Sequence, residues 1–268
     1  MISLKSIDGG RITRREALRL GAGAAVGAAA MLAPKATSRA AAQAPPAVAI
    51  PPAPDPKFPM PPTWDRELKE VAPNVYAYIQ GGGPGRNNFS VPHAGIIVGD
   101  DSVMVIDTLA APMHAKDFVT AIRKVTDKPF RQVINTHHHG DHVNGNQYFM
   151  PVEVISHPYC RQEVAAVVQG PPNWTKREGW ADGTEERKII PAHTTVDGKL
   201  TYYYGKNVVE VLPMLPAHTY GDLVVYLPQH KVMFVGDIGF FYVAPFCQNA
   251  HPSNWIETCN RIEKMDGE

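Results

Sequence analysis

Asn135-Thr136-His137-His138-His139-Gly140-Asp141-His142 is the stretch on which the architecture turns. It follows a short apolar strand at Val133-Ile134 and runs into Val143-Asn144-Gly145-Asn146, a turn that enters a helix. His137 and His139 are two residues apart, so in an extended loop their imidazoles point to the same side and can share one cation. Asp141 and His142 lie past the Gly140 bend and are placed to face a second cation. Imidazole nitrogens with a carboxylate suit Zn2+, and Fe2+ and Mn2+ accept the same donors. Adventitious histidine clusters belong to chain termini, whereas this one sits mid-chain between ordered elements.

Two features downstream strengthen the motif. His218 follows Leu215-Pro216-Ala217 and precedes Thr219-Tyr220-Gly221-Asp222, in the turn between the strands Val208–Leu212 and Leu223–Leu227. Asp237 is expected to end the strand that starts at Lys231, just after Gly236, where a carboxylate is free to reach a metal.

Around these residues the pattern alternates between short strands and helices. Apolar runs bounded by Gly and Asp predict strands over Val75–Ile79, Ala94–Val98 and Val103–Ile106. Further strands are expected over Val152–Ile155, Leu200–Tyr204 and Val232–Val235. Helical spacing of Phe118, Val119, Ile122 and Val125 predicts a helix over His114–Val125, and another is expected over Arg161–Val168. In the last helix Trp255, Ile256, Cys259, Ile262 and Met265 are expected to form one face, capped by Gly267. Strands with interspersed helices, then strands, then a helix suit an α/β fold with two sheets face to face and helices outside.

The His-x-His-x-Asp-His run, the His218 of Pro-Ala-His-Thr-x-Gly-Asp and the Phe-Val-Gly-Asp stretch together resemble the metallo-β-lactamase-fold hydrolase superfamily, from about Val75 to the C-terminus. The resemblance implies a four-layer αββα sandwich with its site at one end of the paired sheets. It implies a first metal site at His137, His139 and His218, a second at Asp141 and His142, and Asp237 bridging the two. Asp107, after the strand Val103–Ile106, matches the superfamily's early supporting Asp. The bridging Asp is that of glyoxalase-II-like hydrolases, not of true metallo-β-lactamases, which carry Cys or Ser there. The superfamily's last ligand is a His after one more strand. His230, in a hairpin turn, and His251, before the final helix, do not match it, so the last strand is expected to be missing and the domain C-terminally incomplete.

The implied chemistry is hydrolysis of an ester, lactone, thioester, amide or β-lactam, with zinc acidifying a water that Asp141 orients and deprotonates. Two zinc ions per chain are expected if the closing His exists, otherwise one. Two other readings use the same residues: a mononuclear iron oxidoreductase resembling persulfide dioxygenases, and a non-catalytic binding or accessory protein with a half-built site. Substrate contacts are expected from Arg86 and Phe89 in the Gly81–Phe89 hairpin tip, and from Trp174 and Trp180 in the long polar segment Gly170–Gly198.

The N-terminus differs in kind. Residues 1–44 hold seven of the 26 Lys/Arg and two of the 26 Asp/Glu, which leaves the remainder mildly acidic and without the basic footprint of a nucleic-acid binder. Thr13-Arg14-Arg15-Glu16-Ala17-Leu18-Arg19, an apolar small-residue run from Leu20 to Ala33, and Ala-x-Ala sites near Ala40–Ala44 read as a twin-arginine-type signal peptide over 1–44. Residues 45–63 read as a proline-rich linker and 64–268 as the metallo-β-lactamase-like domain. The expected partners are the twin-arginine export machinery and a small-molecule substrate, with no membrane span after cleavage and a periplasmic or secreted location. The three cysteines, Cys160, Cys247 and Cys259, fit no Cys-x-x-Cys pattern and are expected to be buried small hydrophobes.

Overall fold

Val103-Met104-Val105-Ile106, a β-branched and apolar run with no polar side chain, is buried on both faces and lies at the centre of the larger of two sheets. The computed structural model describes residues 65–82, 92–167, 187–240 and 243–266. The first sheet has seven strands in sequence order: β1 (Glu67–Ala72), β2 (Val75–Ile79), β3 (Ala94–Val98), β4 (Val103–Ile106), β5 (Phe130–Ile134), β6 (Glu153–Ser156) and β7 (Thr194–Thr195). Strands β1 to β4 pair antiparallel, and β4 to β7 pair parallel. Helix α1 (Pro112–Arg123) crosses between β4 and β5. The short α2 (Gly140–Val143) and a 3-10 turn over Asn146–Phe149 lead from β5 to β6, and α3 (Pro158–Ala166) follows β6. The second sheet is an antiparallel meander in the order β11-β10-β9-β8, built from β8 (Leu200–Tyr204), β9 (Asn207–Pro213), β10 (Leu223–Leu227) and β11 (Val232–Phe234). Helix α4 (Pro252–Asp266) closes the described chain. No helix of the described residues is long and apolar enough to cross a membrane.

The strand period of two sorts side chains into layers. Met104 and Ile106 of β4, with Ile97, Ile134 and Ile155, meet Val209, Val211, Leu223, Val225 and Leu227 of the second sheet in the inter-sheet core. Val103 and Val105 point the other way, with Ile96, Val133 and Val154, onto Phe118 and Ile122 of α1 and onto Phe149. On the far side Leu212 and Val224 receive Trp255, Ile262 and Met265 of α4. The result is four layers, helix, sheet, sheet, helix, as the element order implied.

Several boundaries differ from expectation for identifiable reasons. Helix α1 starts at Pro112 and α3 at Pro158, each with proline in the first turn, where its missing N–H costs no hydrogen bond. Strand β1 was not expected, because it is a largely exposed edge with no apolar alternation. The buried face of α4 is Trp255, Thr258, Ile262 and Met265; Ile256 and Cys259 are exposed, so the expected face was rotated. Of the cysteines only Cys160 is buried, while Cys247 and Cys259 are exposed and all three are free. The expected cap Gly267 lies outside the described residues.

Gly145 lets the motif dock on the sheet. A Cβ there would lie 1.9 Å from the carbonyl oxygen of Thr108 and 2.8 Å from Cβ of Ala115, both on packed backbone or helix. Gly145→Ala is therefore expected to destabilise the fold by about 3 kcal/mol, read as a lowered urea midpoint. An unchanged midpoint would mean that this junction is not closely packed.

Candidate metal centre

Four chain segments reach the same end of the sandwich. Asp107 follows β4, the 135–142 motif follows β5, His218 sits in the β9–β10 connection, and Asp237 comes just after β11. The Leu223 N–H donates to the Thr136 carbonyl at 2.8 Å, tying the second sheet to the motif.

The motif is held from beneath by buried polar groups. Asp107 adopts a positive φ of 57°, a conformation an aspartate tolerates better than most residues. Its carboxylate accepts from the Thr136 N–H at 2.8 Å and from the Thr136 hydroxyl at 2.7 Å, and it faces His142 Nδ1 at 2.8 Å. Beside it, Thr108 Oγ1 donates to Asn146 Oδ1 at 2.8 Å, while Asn135 and Asn146 exchange amide hydrogen bonds at 3.0 and 2.9 Å. His218 is shaped by Asp222, whose carboxylate accepts from Thr219 N and Oγ1 and from Ala217 N. Burial raises the Asp222 pKa, and those same hydrogen bonds oppose the rise.

Asp237 is not at a strand end. Strand β11 stops at Phe234, and Asp237 lies in a single 3-10 turn over Gly236–Ile238. Gly236 makes that turn at φ +54°, and a Cβ on it would meet Thr136 Oγ1 at 2.5 Å. The glycine thus brings the carboxylate close to the motif, where a continued strand would carry it away.

The donors converge. His139 Nδ1 lies 3.2 Å from His137 Nε2 and 2.9 Å from His218 Nε2, and His218 Nε2 lies 3.4 Å from Asp237 Oδ2. One donor atom from each of His137, His139, His218 and Asp237 falls within 4.8 Å of the others. Asp141, His142 and Asp237 form a second such group, with His142 Nε2 3.0 Å from Asp237 Oδ1 and 3.8 Å from Asp141 Oδ2. Asp237 belongs to both. The structure therefore brings together all six residues expected to bind metal, with Asp107 behind them. His230 instead bonds Asn207 at 2.8 Å, and neither it nor His251 enters either donor group. Arg86, Phe89, Trp174 and Trp180 lie outside the described residues.

This arrangement fits a divalent cation, and at His137 and His218 it fits protons poorly. Burial, then the neighbouring imidazoles, hold His137 well below the ordinary histidine value, and burial with His139 and His142 holds His218 at about 4 against the pull of Asp237. Burial also penalises a charged His142, but the carboxylates of Asp237, Asp107 and Asp141 outweigh it and raise that ring. Asp237 is kept anionic because His142, His218 and His139 overcome the cost of its burial. His142 Nε2, which faces Asp237 and Asp141, is buried without a well-formed hydrogen bond among the described residues, an orphaned nitrogen turned toward the cluster. Bonds of about 2.05 Å in a tetrahedral zinc site put neighbouring donors roughly 3.3 Å apart, close to the spacings here.

Several residues around the donors carry no signal of that placement in the sequence. Asn249 Oδ1 lies 3.0 Å from His139 Nε2, and the exposed Phe246 ring is 5.8 Å from the same imidazole. Phe240 and Trp255 lie 5.7 and 5.5 Å from the His218 ring, and Trp255 Nε1 donates to the Ile238 carbonyl at 3.0 Å. These aromatics form an apolar wall on one side of the donors. They arrive from 98 to 113 residues beyond the motif, and no local spacing announces their approach to it.

The family profile described as the metallo-beta-lactamase superfamily matches residues 87–267, which is more than half of the chain. The chain belongs to the metallo-beta-lactamase superfamily. Within it, a linear primary-alkylsulfatase of a Pseudomonas species is 24% identical over 212 residues, covering 65% of this chain and 39% of the relative. A hydroxyacylglutathione hydrolase of Brucella ovis is 28% identical over 136 residues, covering 51% of this chain and 44% of the relative. The chain thus spans less than half the length of either curated relative. A metallo-beta-lactamase from Pontibacter korlensis superposes with a TM-score of 0.60 at 18% identity, over 76% of this chain and 87% of that one. That likeness establishes the superfamily's fold. By their names these superfamily members are hydrolases, and the donors gathered here form two groups able to hold a metal ion.

Proposed function

We propose that the protein is an exported, zinc-dependent hydrolase acting on an ester, thioester, lactone, amide or β-lactam bond. The observation that carries this reading is the convergence of His137, His139, His218 and Asp237 donor atoms beside the Asp141–His142–Asp237 group. His137, His139 and His218 would hold the first ion; Asp141, His142 and Asp237 would hold a second with three donors, leaving a position open for water or substrate. A bound zinc ion supplies water acidified to near neutrality and polarises the substrate carbonyl. The chain's own residues then do the rest. Asp141, beside His142 and Asp237, would orient the attacking water, take up its proton and return it to the leaving group. Phe240 and Trp255 against the His218 ring, with Phe246 against the His139 ring, would make one side of the donors apolar.

Metal analysis of the purified protein, with turnover of nitrophenyl ester, thioester, lactone, β-lactam and alkyl sulfate substrates before and after chelation, tests the proposal. Zinc and chelator-sensitive hydrolysis support it. Iron at one per chain with oxygen uptake replaces it with the persulfide-dioxygenase-like reading. No retained metal and no turnover favour an accessory protein.

The pKa directions give a dependence on pH. His137 and His218 are depressed below their unfolded value near 6.5, so as pH falls from 6.5 toward 4 the unfolded chain binds more protons than the folded one. His142 is raised and acts in the opposite sense, contributing stability below 6.5 that fades as pH rises through its folded value. In the larger set His138 and His114 are also depressed, to about 4. The chelated protein is thus expected to melt at a lower temperature at pH 5 than at pH 7, and added zinc to restore the midpoint more fully at pH 7. A midpoint higher at pH 5 would contradict the neutral, buried state of these rings.

Export rests on the Arg14-Arg15 signal and the apolar run after it, which lie outside the described residues. Fractionation of expressing bacteria is expected to place the shortened protein in the periplasm or medium; full-length protein in the cytoplasm would overturn this.

A further inference from the structure

The described donor rings are not all presented the same way. His137 and His218 face the cluster through Nε2, whereas His139 faces it through Nδ1. The other nitrogen of each ring decides which tautomer is available, because a neutral imidazole has one lone pair and one N–H. Thr136 Oγ1 lies 3.1 Å from His137 Nδ1, and Asp107 Oδ2 lies 2.8 Å from His142 Nδ1. Both partners come from next to the motif or beneath it. His139 Nε2 is met from elsewhere, by Asn249 Oδ1 at 3.0 Å, across 110 residues of sequence.

We propose that Asn249 is a positioning residue that sets the tautomer of His139. An amide oxygen only accepts, so the bond requires the proton on His139 Nε2 and leaves the Nδ1 lone pair facing His137 and His218. The geometry is self-consistent, since the nitrogen left bare is the one that lies within 3.2 Å of both other rings. Asn249 is held for this task by its own segment. The Ala250 N–H donates to the Cys247 carbonyl at 3.2 Å, and the His251 N–H donates to the Ala217 carbonyl at 2.7 Å. The second bond ties the Asn249 segment to the residue preceding His218, so one connection serves two of the three histidines. Phe246, from the same segment, lies against the His139 ring. Asn249 itself is exposed, so replacing it removes little packing.

The inference rests on the metal-binding reading but fails separately from it. Wild type, Asn249→Leu, Asn249→Ala and Asn249→Asp are titrated with Zn2+ against a chromogenic chelator, and with Co2+ while the visible d–d bands are recorded. Loss of the acceptor in the Leu and Ala variants is expected to weaken metal binding by about 10–100-fold and to shift the Co2+ bands. Asp keeps an acceptor at the same reach and is expected to bind within a few-fold of wild type. Melting of the chelated proteins is expected to be the same for all four. Equal affinity in all four overturns the inference, as does equal loss in Asp and Leu. If wild type binds neither Zn2+ nor Co2+, the metal-centre reading itself is wrong.

Discussion

His139→Ala is expected to remove bound metal and turnover together while leaving the chelated protein folded. His139 is the hub of the first donor group, with its Nδ1 within 3.2 Å of both His137 Nε2 and His218 Nε2. Without it, two imidazoles and the Asp237 carboxylate remain, one short of the usual four donors. The loss should exceed the roughly 10–100-fold that removal of a supporting partner costs, so zinc should not survive gel filtration. The effect on the metal-free fold runs the other way. His139 is only partly buried, so its removal costs the metal-free chain little packing and thins a crowded group of imidazoles. The metal-free variant is therefore expected to melt no lower than the metal-free wild type. Full zinc content and full turnover in this variant would sink the first site, and a collapsed metal-free fold would show that His139 serves packing instead.

How much of this was legible in the sequence depends on whether the signal was local. The 135–142 motif could be read because its ligand spacing is set within eight residues and its flanks are a strand and a turn. The four strands β8 to β11 were legible for the same reason: each is a short run of β-branched, aromatic or other apolar residues next to its hairpin partner. Edge strand β1 was missed because exposure on both faces erases alternation. The position of Asp237 was half legible. Its approach to the motif was anticipated, but not that Gly236 leaves the strand with a positive φ and turns the carboxylate in through a 3-10 turn. Trp255 was legible only as part of the last helix's apolar face, and its place beside His218 comes from the packing of α4 against the second sheet. Asn249 and Phe246 were invisible, since their segment is tied to the site by the long-range bond from the His251 N–H to the Ala217 carbonyl. The exposed Ile256 shows the limit of periodicity, because an apolar residue one place off the stripe looks the same in sequence as one on it.

Asp107→Ala is expected to have the largest effect of any single change outside the donor groups. The carboxylate is buried and accepts three contacts: the Thr136 N–H at 2.8 Å, the Thr136 hydroxyl at 2.7 Å and His142 Nδ1 at 2.8 Å. Alanine leaves all three donors facing a cavity and places a residue that tolerates it less well at φ +57°. Breaking one side of a buried charged pair costs about 3–5 kcal/mol. Asn is the informative comparison, because it has the same shape and retains one acceptor oxygen. Turned so that its oxygen meets Thr136 Oγ1 and His142 Nδ1, its amide nitrogen confronts the Thr136 N–H, donor against donor. That leaves one buried bond unmade and the charge lost, for about 1–3 kcal/mol. Stability should therefore fall in the order wild type, Asn, Ala, measured by urea unfolding. Metal at the second group should weaken in the same order, because His142 loses the partner that fixes its Nδ1 and aims its Nε2 at Asp237. An Ala variant as stable as the Asn variant, or one that binds metal like wild type, would mean that Thr136 and the asparagine pair Asn135–Asn146 hold the motif without Asp107.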